Sequence, residues 1–285
     1  LKTIKVKGAA QWKFYDHTMR DKLLREKDLE IRMEKALADG EFLVYIQPKY
    51  WVGTRALAGG EALVRWKSPD QGFLSPGEFI PLFEKNRFIV KLDQFMFTSV
   101  CGLLRQWLDA GIEPRPLSVN VSRMQFHTPD FVERYIRIKS QYAIPDGLLE
   151  LEFTESIFFD NVALLSSAVH ELRRAGIKCS IDDFGAGYSS LNVLKALPVS
   201  VLKLDGMFFR TAKDDEQAKI VIRNIMRMAG ELKMATVAEG VETPEQVAFL
   251  ETTGCDIIQG YVFARPMPAA EFTELLAGEG GHAER

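Results

Sequence analysis

Residues 42–66 read FLVYIQPKYWVGTRALAGGEALVRW, and the fold turns on the link inside them. Two β-rich runs, Phe42 to Pro48 and Glu61 to Trp66, are joined by a connection from Tyr50 to Gly59 that contains Gly53 and Gly59 and is followed by Gly60. So short a link has no room for a crossover helix, so the two strands are expected to be antiparallel neighbours. Every later strand is reached differently. Runs at Leu117 to Val121, Leu149 to Thr154, Ile177 to Asp182, Val201 to Asp205, Ala235 to Glu239 and Asp256 to Gln259 alternate with helical segments. The helices are expected at Ile89 to Ala110, Asp130 to Tyr142, Asn161 to Ala175, Asp215 to Leu232 and Pro244 to Thr253, each with apolar residues three and four apart. Such alternation demands a mostly parallel sheet. Eight strands, the first reversed, in about 235 residues fit an α/β fold of the variant (β/α)8 TIM-like barrel type better than an open doubly wound sheet. No Gly-x-Gly-x-x-Gly fingerprint follows any strand. Thr243-Pro244-Glu245-Gln246 reads as a capping box with proline at the first helical position.

The composition agrees with an ordinary globular chain: 36 Lys and Arg against 39 Asp and Glu, a net charge of -3, and 47% apolar residues in 285. This even balance gives no electrostatic reason for DNA binding, so a nucleotide ligand has to be argued from a site. No apolar run reaches the length of a membrane span, and the lysine-rich start lacks the apolar stretch of a secretory signal, so a cytoplasmic location is expected. Cys101, Cys179 and Cys255 are far apart and without Cys-x-x-Cys spacing, which suggests buried free thiols rather than disulfides or a zinc cage.

Upstream of the barrel, Met19 to Leu37 contains neither Pro nor Gly and pairs Asp21 with Arg25 and Asp28 with Arg32 at i,i+4, so residues 19–40 are expected to form a linker helix stopped by Gly40. The chain begins at Leu1 rather than Met and is expected to be a piece of a longer protein. The barrel is assigned to residues 41–275, with 276–285 as a tail.

In a barrel the strand ends converge on one face, so polar residues there matter together. The second strand carries Glu61, the third Asn120, the fourth Glu152, the fifth Asp182 and Asp183, the sixth Lys203, the seventh Glu239 and the eighth Gln259. All but the lysine are oxygen donors. So many carboxylates around one axis would be prohibitively costly without cations. Oxygen donors with few histidines suit Mg²⁺ or Mn²⁺ rather than zinc, and their number suggests a pair of ions, an arrangement that cleaves phosphate esters. Singly, each residue has a plainer reading: Glu61 as half of an ion pair, Glu242 as a first-turn helix charge, and Lys203 as an interior counter-ion. Asp205 projects to the same side as Lys203 and either fixes it or binds metal. Asp183 opens a glycine-hinged loop, Asp-Phe-Gly-Ala-Gly-Tyr-Ser-Ser. Positive φ explains Gly185 and Gly187 but not two adjacent acids before them. The four histidines show no ligand spacing, and no nucleophile elbow or Ser-His-Asp order is visible.

Taken in order, these residues resemble the EAL domains, bacterial cyclic-di-GMP phosphodiesterases. The resemblance is carried by Glu61-Ala62-Leu63 within Gly-Glu-Ala-Leu-Val-Arg-Trp, by Gln47-Pro48, by Ser-Val-Asn-Val-Ser around Asn120, and by Leu-Glu-Phe-Thr-Glu-Ser from Leu151. It continues through Asp-Asp-Phe-Gly-Ala-Gly-Tyr-Ser-Ser from Asp182, Leu-Lys-Leu-Asp from Leu202, Ala-Glu-Gly-Val-Glu-Thr from Ala238 and Gln-Gly-Tyr from Gln259. It implies that Glu61, Asn120, Glu152, Asp182, Asp183 and Glu239 hold two Mg²⁺ or Mn²⁺ ions. Lys203 matches a lysine that contacts the attacking water, Gln259 a residue that helps orient it, and Glu242 a glutamate that supports the site through the loop of Phe184, Gly185 and Gly187. Gln47 and Arg65 match substrate-holding positions, Arg65 on a phosphate. Ala186 stands where threonine is common and Ser200 where aspartate often precedes the strand. Upstream, Leu1 to Asp16, ending Gln-Trp-Lys-Phe-Tyr-Asp, looks like the last helix and strand of a GGDEF domain, and residues 1–18 are assigned to the tail of such a domain.

The resemblance implies hydrolysis of cyclic-di-GMP to linear pGpG by a metal-activated water, a homodimer, and a GGDEF or sensory domain upstream. The rival readings are a receptor that binds cyclic-di-GMP without cleaving it and a barrel metal hydrolase acting on another phosphodiester.

Overall fold

The link that decides the fold is a tight turn in the computed structural model: the Trp51 N–H donates to Ala56 O at 3.0 Å and the Arg55 N–H to Trp51 O at 2.9 Å. The structure describes residues 3–6, 9–12, 17–154, 157, 162–185, 198–211 and 215–280. Its strands are β1 Thr3–Val6, β2 Ala9–Trp12, β3 Phe42–Trp51, β4 Leu57–Ser68, β5 Gly72–Leu74, β6 Leu117–Asn120, β7 Leu149–Thr154, β8 Ile177–Phe184, β9 Val201–Leu204, β10 Ala235–Ala238, β11 Ile257–Ile258 and β12 Met267–Pro268. The helices are α1 His17–Ala38, α2 Pro76–Asn86, α3 Ile89–Asp109, α4 Phe131–Gln141, α5 Val162–Arg174, α6 Met207–Thr211, α7 Glu216–Glu231, α8 Pro244–Glu251 and α9 Ala269–Gly280. None of the described helices is long and apolar enough to cross a membrane.

The chain forms two units, Leu1–Phe42 with Arg65–Ile89, and Leu43–Val64 with Val90–Arg285. The second is a closed eight-stranded barrel. Strands β4, β6, β7, β8, β9, β10 and β11 run parallel in that order, β3 pairs antiparallel with β11, and a β3–β4 pairing closes the ring. All eight expected barrel strands are present, and the first is the reversed one. The parallel strands are buried on both faces, so they read as near-continuous apolar runs in which an inward polar residue stands out. Asp215 caps α7, its side chain accepting from the Gln217 and Ala218 N–H groups, and the Thr243–Gln246 capping box opens α8. The three cysteines are free and buried. Helix α9 runs past residue 275 and buries Leu276, so the barrel unit continues into the stretch expected to be a tail. The cause is amphipathic: Phe272 and Leu276, four residues apart, share one face.

In the first unit, α1 does not stand apart as a linker but packs on α2. Leu29 and Ala36 are its buried contacts, one helical face seven residues apart. Arg32 Nη2 donates to Ser68 Oγ at 2.7 Å, and Trp66 Nε1 donates to Glu41 Oε2 at 2.7 Å. Around Trp66 the rings of Phe42, Phe79 and Phe83 lie within 4.9–5.8 Å, an aromatic core of this unit's own. At the start, β1 and β2 pair antiparallel where a helix and a strand were expected, in keeping with the β-branched Thr-Ile-Lys-Val run.

Candidate functional site

Interior positions of the barrel strands bring the polar residues together. Asn120 lies opposite Glu152 in the β6–β7 register, Thr154 opposite Asp182 in β7–β8, and Lys203 opposite Val237 in β9–β10. At the centre is Lys203, whose side chain has no exposed surface. Its Nζ is 2.6 Å from Glu152 Oε2, 2.6 Å from Glu239 Oε1, 3.0 Å from Asp182 Oδ1 and 3.5 Å from Glu61 Oε2. Around this hub, Asn120 Nδ2 donates to Glu61 Oε1 at 2.7 Å and Gln259 Nε2 to Glu61 Oε2 at 2.6 Å. Gln259 Nε2 also reaches Gln47 Oε1 at 3.2 Å, and Gln47 Nε2 donates to Ala264 O at 3.3 Å. Both ends of the Gln47 amide are thus engaged by the chain itself.

The end of β8 is under constraint, where its pairing with β9 shifts register between Ile181 and Phe184. Asp183 has φ +54°, in the left-handed region that Asp tolerates better than most residues, and its N–H donates to Asp182 Oδ1 at 2.9 Å. Gly185 has φ +93°, and a Cβ there would meet the Phe208 ring at 2.1 Å, so only glycine fits. Phe184, the residue before it, is buried. Gly187 and Ala186 lie outside the described residues. Asp205 caps α6, accepting from the Met207 N–H at 2.6 Å, so its fixing role is local to the helix. Glu242 is exposed, and its N–H donates to Gln246 Oε1 at 2.7 Å, while Gln246 Nε2 donates to Phe209 O. Arg65 continues β4 four residues beyond Glu61 and is half-buried, in the portion of that strand that belongs to the other unit.

Lys49 and Ser118 were not anticipated. Lys49 Nζ, buried, donates to Ser118 Oγ at 2.7 Å and to Glu152 Oε1 at 3.0 Å. Lys49 lies on the same strand face as Gln47.

Among the described residues the charge here is unbalanced: Glu61, Glu152, Asp182, Asp183 and Glu239 stand against Lys49 and Lys203. Burial works against the charge on Lys203, but Asp182, Glu152, Glu239 and Glu61 together raise its pKa well above the lysine range. Burial likewise opposes ionisation of Glu152, yet Lys203 and Lys49 outweigh it and hold that carboxyl down at about 2. The others lack such cover. Burial, then Glu152 and Asp182, raise Glu61; burial, then Asp182 and Glu61, raise Glu239 far above the carboxylate range against the pull of Lys203. Asp183 is exposed over much of its surface, but partial desolvation of its carboxyl and the charges of Asp182 and Asp205 push it up to about 6. Carboxyls that bind protons this avidly are ones a cation would satisfy.

The donor set fits a hard divalent ion. Asp182, Asp183 and Glu239 each offer a carboxylate oxygen, all within 4.8 Å of one another. Gln259, whose Nε2 is held by Glu61, has its Oε1 buried without a hydrogen-bond partner.

The profile of the EAL domain matches residues 31–266. This chain belongs to the EAL domain family. Relatives of the EAL chain include the bifunctional diguanylate cyclase/cyclic di-GMP phosphodiesterase MucR of Pseudomonas aeruginosa, 33% identical over 96% of this chain and 40% of the relative. Cyclic di-GMP phosphodiesterase NbdA of the same organism is 35% identical over 94% of this chain and 34% of the relative. The chain therefore spans no more than two fifths of these relatives. Among solved structures, the PaMucR phosphodiesterase in complex with c-di-GMP superposes with a TM-score of 0.81 at 35% identity, over 86% of this chain and 99% of that one. The EAL enzyme Bd1971 bound to cAMP and cyclic-di-GMP gives 0.83 at 31%, over 89% and 69%.

Proposed function

We propose that this EAL domain hydrolyses cyclic-di-GMP to linear pGpG with the assistance of two Mg²⁺ or Mn²⁺ ions. The observation that carries the reading is the ring of Glu61, Glu152, Asp182 and Glu239 around Lys203, with Asp183 next to Asp182 and, among the described residues, Lys49 as the one further cation paired with a member of the ring. Glu61, Asn120, Glu152, Asp182, Asp183 and Glu239 would hold the ions. Bound there, divalent ions supply Lewis acidity for an attacking water and offset charge on the phosphate and the leaving 3′ oxygen. Lys203 keeps its proton through the reaction and donates a hydrogen bond to the attacking oxygen. With its three N–H groups directed at Glu152, Glu239 and Asp182 in this structure, it frees one of them for that oxygen while its charge stays in place. Gln259, fixed through its amide nitrogen by Glu61 and Gln47, turns Oε1 to accept a hydrogen bond from the same water. Arg65 takes a phosphate in its guanidinium fork, and Gln47 holds substrate by exchanging its bond to Ala264 O. A homodimer and a GGDEF or sensory domain preceding residue 19 complete the reading.

Relatives named as phosphodiesterases of this dinucleotide support the substrate, and the uncompensated carboxylates support cleavage over mere binding. Purified protein incubated with cyclic-di-GMP and Mg²⁺ or Mn²⁺ is expected to yield pGpG on chromatography, and none with EDTA. Binding with the dinucleotide left intact would overturn the reading in favour of a receptor.

A further inference from the structure

Lys49 has no part in the chemistry just described, and its burial demands one. It stands on β3, two residues after Gln47 and on the same interior side, with a side chain 7% exposed. Its Nζ divides between Ser118 Oγ at 2.7 Å and Glu152 Oε1 at 3.0 Å, while the other oxygen of Glu152 takes Lys203 at 2.6 Å. Glu152, fully buried, is thereby clamped between two ammonium groups, one on each oxygen. Among the described residues, Glu61, Asp182 and Glu239 pair with Lys203 and with no second cation. Ser118 in turn donates to Gly60 O at 3.4 Å, next to Glu61, so the clamp is anchored to the neighbouring strand. Glu150, two residues before Glu152 on β7, adds its negative charge to the surroundings of Lys49.

A barrel that needed only packing at position 49 would be served by an apolar side chain, since a buried ammonium is unfavourable unless well partnered. What Lys49 contributes is fixed positive charge and a fixed carboxylate. Both act on the proposed metal centre, and the inference rests on that reading. We propose that Lys49 is a permanent counter-ion of this centre: it locks the orientation of Glu152, keeps the metal-free barrel stable, and limits the affinity for divalent ions. The sign follows from Coulomb's law. Positive charge held in a poorly screened interior repels an arriving cation, so its removal tightens cation binding while leaving the empty site more strongly self-repelling.

The test uses the whole chain stripped with EDTA, comparing the unmodified protein with Lys49→Met and Lys49→Arg by Mn²⁺ titration calorimetry and by melting with and without saturating Mn²⁺. Lys49→Met is expected to bind Mn²⁺ about tenfold tighter or more, to melt lower when stripped, and to gain more on adding Mn²⁺ than the unmodified protein. Lys49→Arg, which keeps the charge, is expected to retain the unmodified affinity. A variant that folds only with Mn²⁺ present is the limiting case of the same result. Equal or weaker Mn²⁺ binding by Lys49→Met overturns the proposal. So does failure of both Lys49→Met and Lys49→Gln to fold with saturating Mn²⁺, because added cations should replace the lost charge. If the unmodified protein takes up no Mn²⁺, the metal-assisted reading falls and this proposal falls with it.

Discussion

Lys203 Nζ and Glu152 Oε2 meet at 2.6 Å where neither side chain has any exposed surface. Three further carboxylates face the same ammonium, so removing it leaves buried negative charge without compensation. Lys203→Met is expected to cost the metal-free protein about 3–5 kcal/mol in urea unfolding with EDTA present, the usual consequence of breaking a buried pair from one side. A loss below about 1 kcal/mol, ordinary for any substitution, would mean that the carboxylates do not depend on the lysine.

Glu61 joins three parts of the site, accepting from Asn120 on β6, from Gln259 after β11 and lying 3.5 Å from Lys203. Its loss removes an oxygen donor and frees two amides at once. Glu61→Ala is expected to weaken Mn²⁺ binding and to lower turnover of cyclic-di-GMP by more than about a hundredfold. Hydrolysis near the unmodified rate would refute the assignment of Glu61 to the ions.

Glu242 is a different case, because its side chain is exposed and only its backbone N–H is tied to Gln246. Gln246 also donates to Phe209 O of α6, and the neighbouring Phe208 packs where Gly185 has no side chain. The loop after β10 is thus linked to the loop after β8 through α6. Glu242→Ala is expected to shift unfolding by no more than about 0.5 kcal/mol, as at any exposed position. Turnover should fall by about tenfold, the lower end of what residues supporting metal ligands contribute. Unchanged kinetics would return Glu242 to the status of a helix-end charge.

These residues could be picked out of the chain because parallel barrel strands are buried on both faces, so Glu61, Glu152, Lys203 and Glu239 interrupt otherwise apolar runs. Lys49 was illegible for the opposite reason. It follows Gln47 and Pro48 on β3, the reversed strand of the barrel ring, where a lysine reads as an edge charge until the ring closes and places it beside Glu152. The association of α1 with residues 65–89 was equally hidden: Pro76 and Pro81 both fall in α2 and mask its helical period. Strands β5 and β12, three and two residues long, are too short for any alternation to show.

Asp183 offers a pH test whose sign is fixed. Partial desolvation and the charges of Asp182 and Asp205 raise its carboxyl from an ordinary 3.8 to about 6, so between those values the folded state binds a proton that the unfolded state has released. Stability of the metal-free protein therefore declines as pH rises from about 4 to about 6, and the full penalty is present above that range. Asp183→Asn removes the ionisation, and asparagine suits the left-handed backbone at φ +54° at least as well as aspartate. With EDTA, the variant is expected to unfold at a higher urea concentration than the unmodified protein at pH 7.5, and to lose most of that advantage by about pH 4. With saturating Mn²⁺ at pH 7.5 the order should reverse, because the cation stabilises the ionised Asp183 that the variant lacks. An advantage for Asp183→Asn that is the same at both pH values would assign it to backbone relief alone, and the charge crowding inferred at the barrel mouth would then be wrong for this residue.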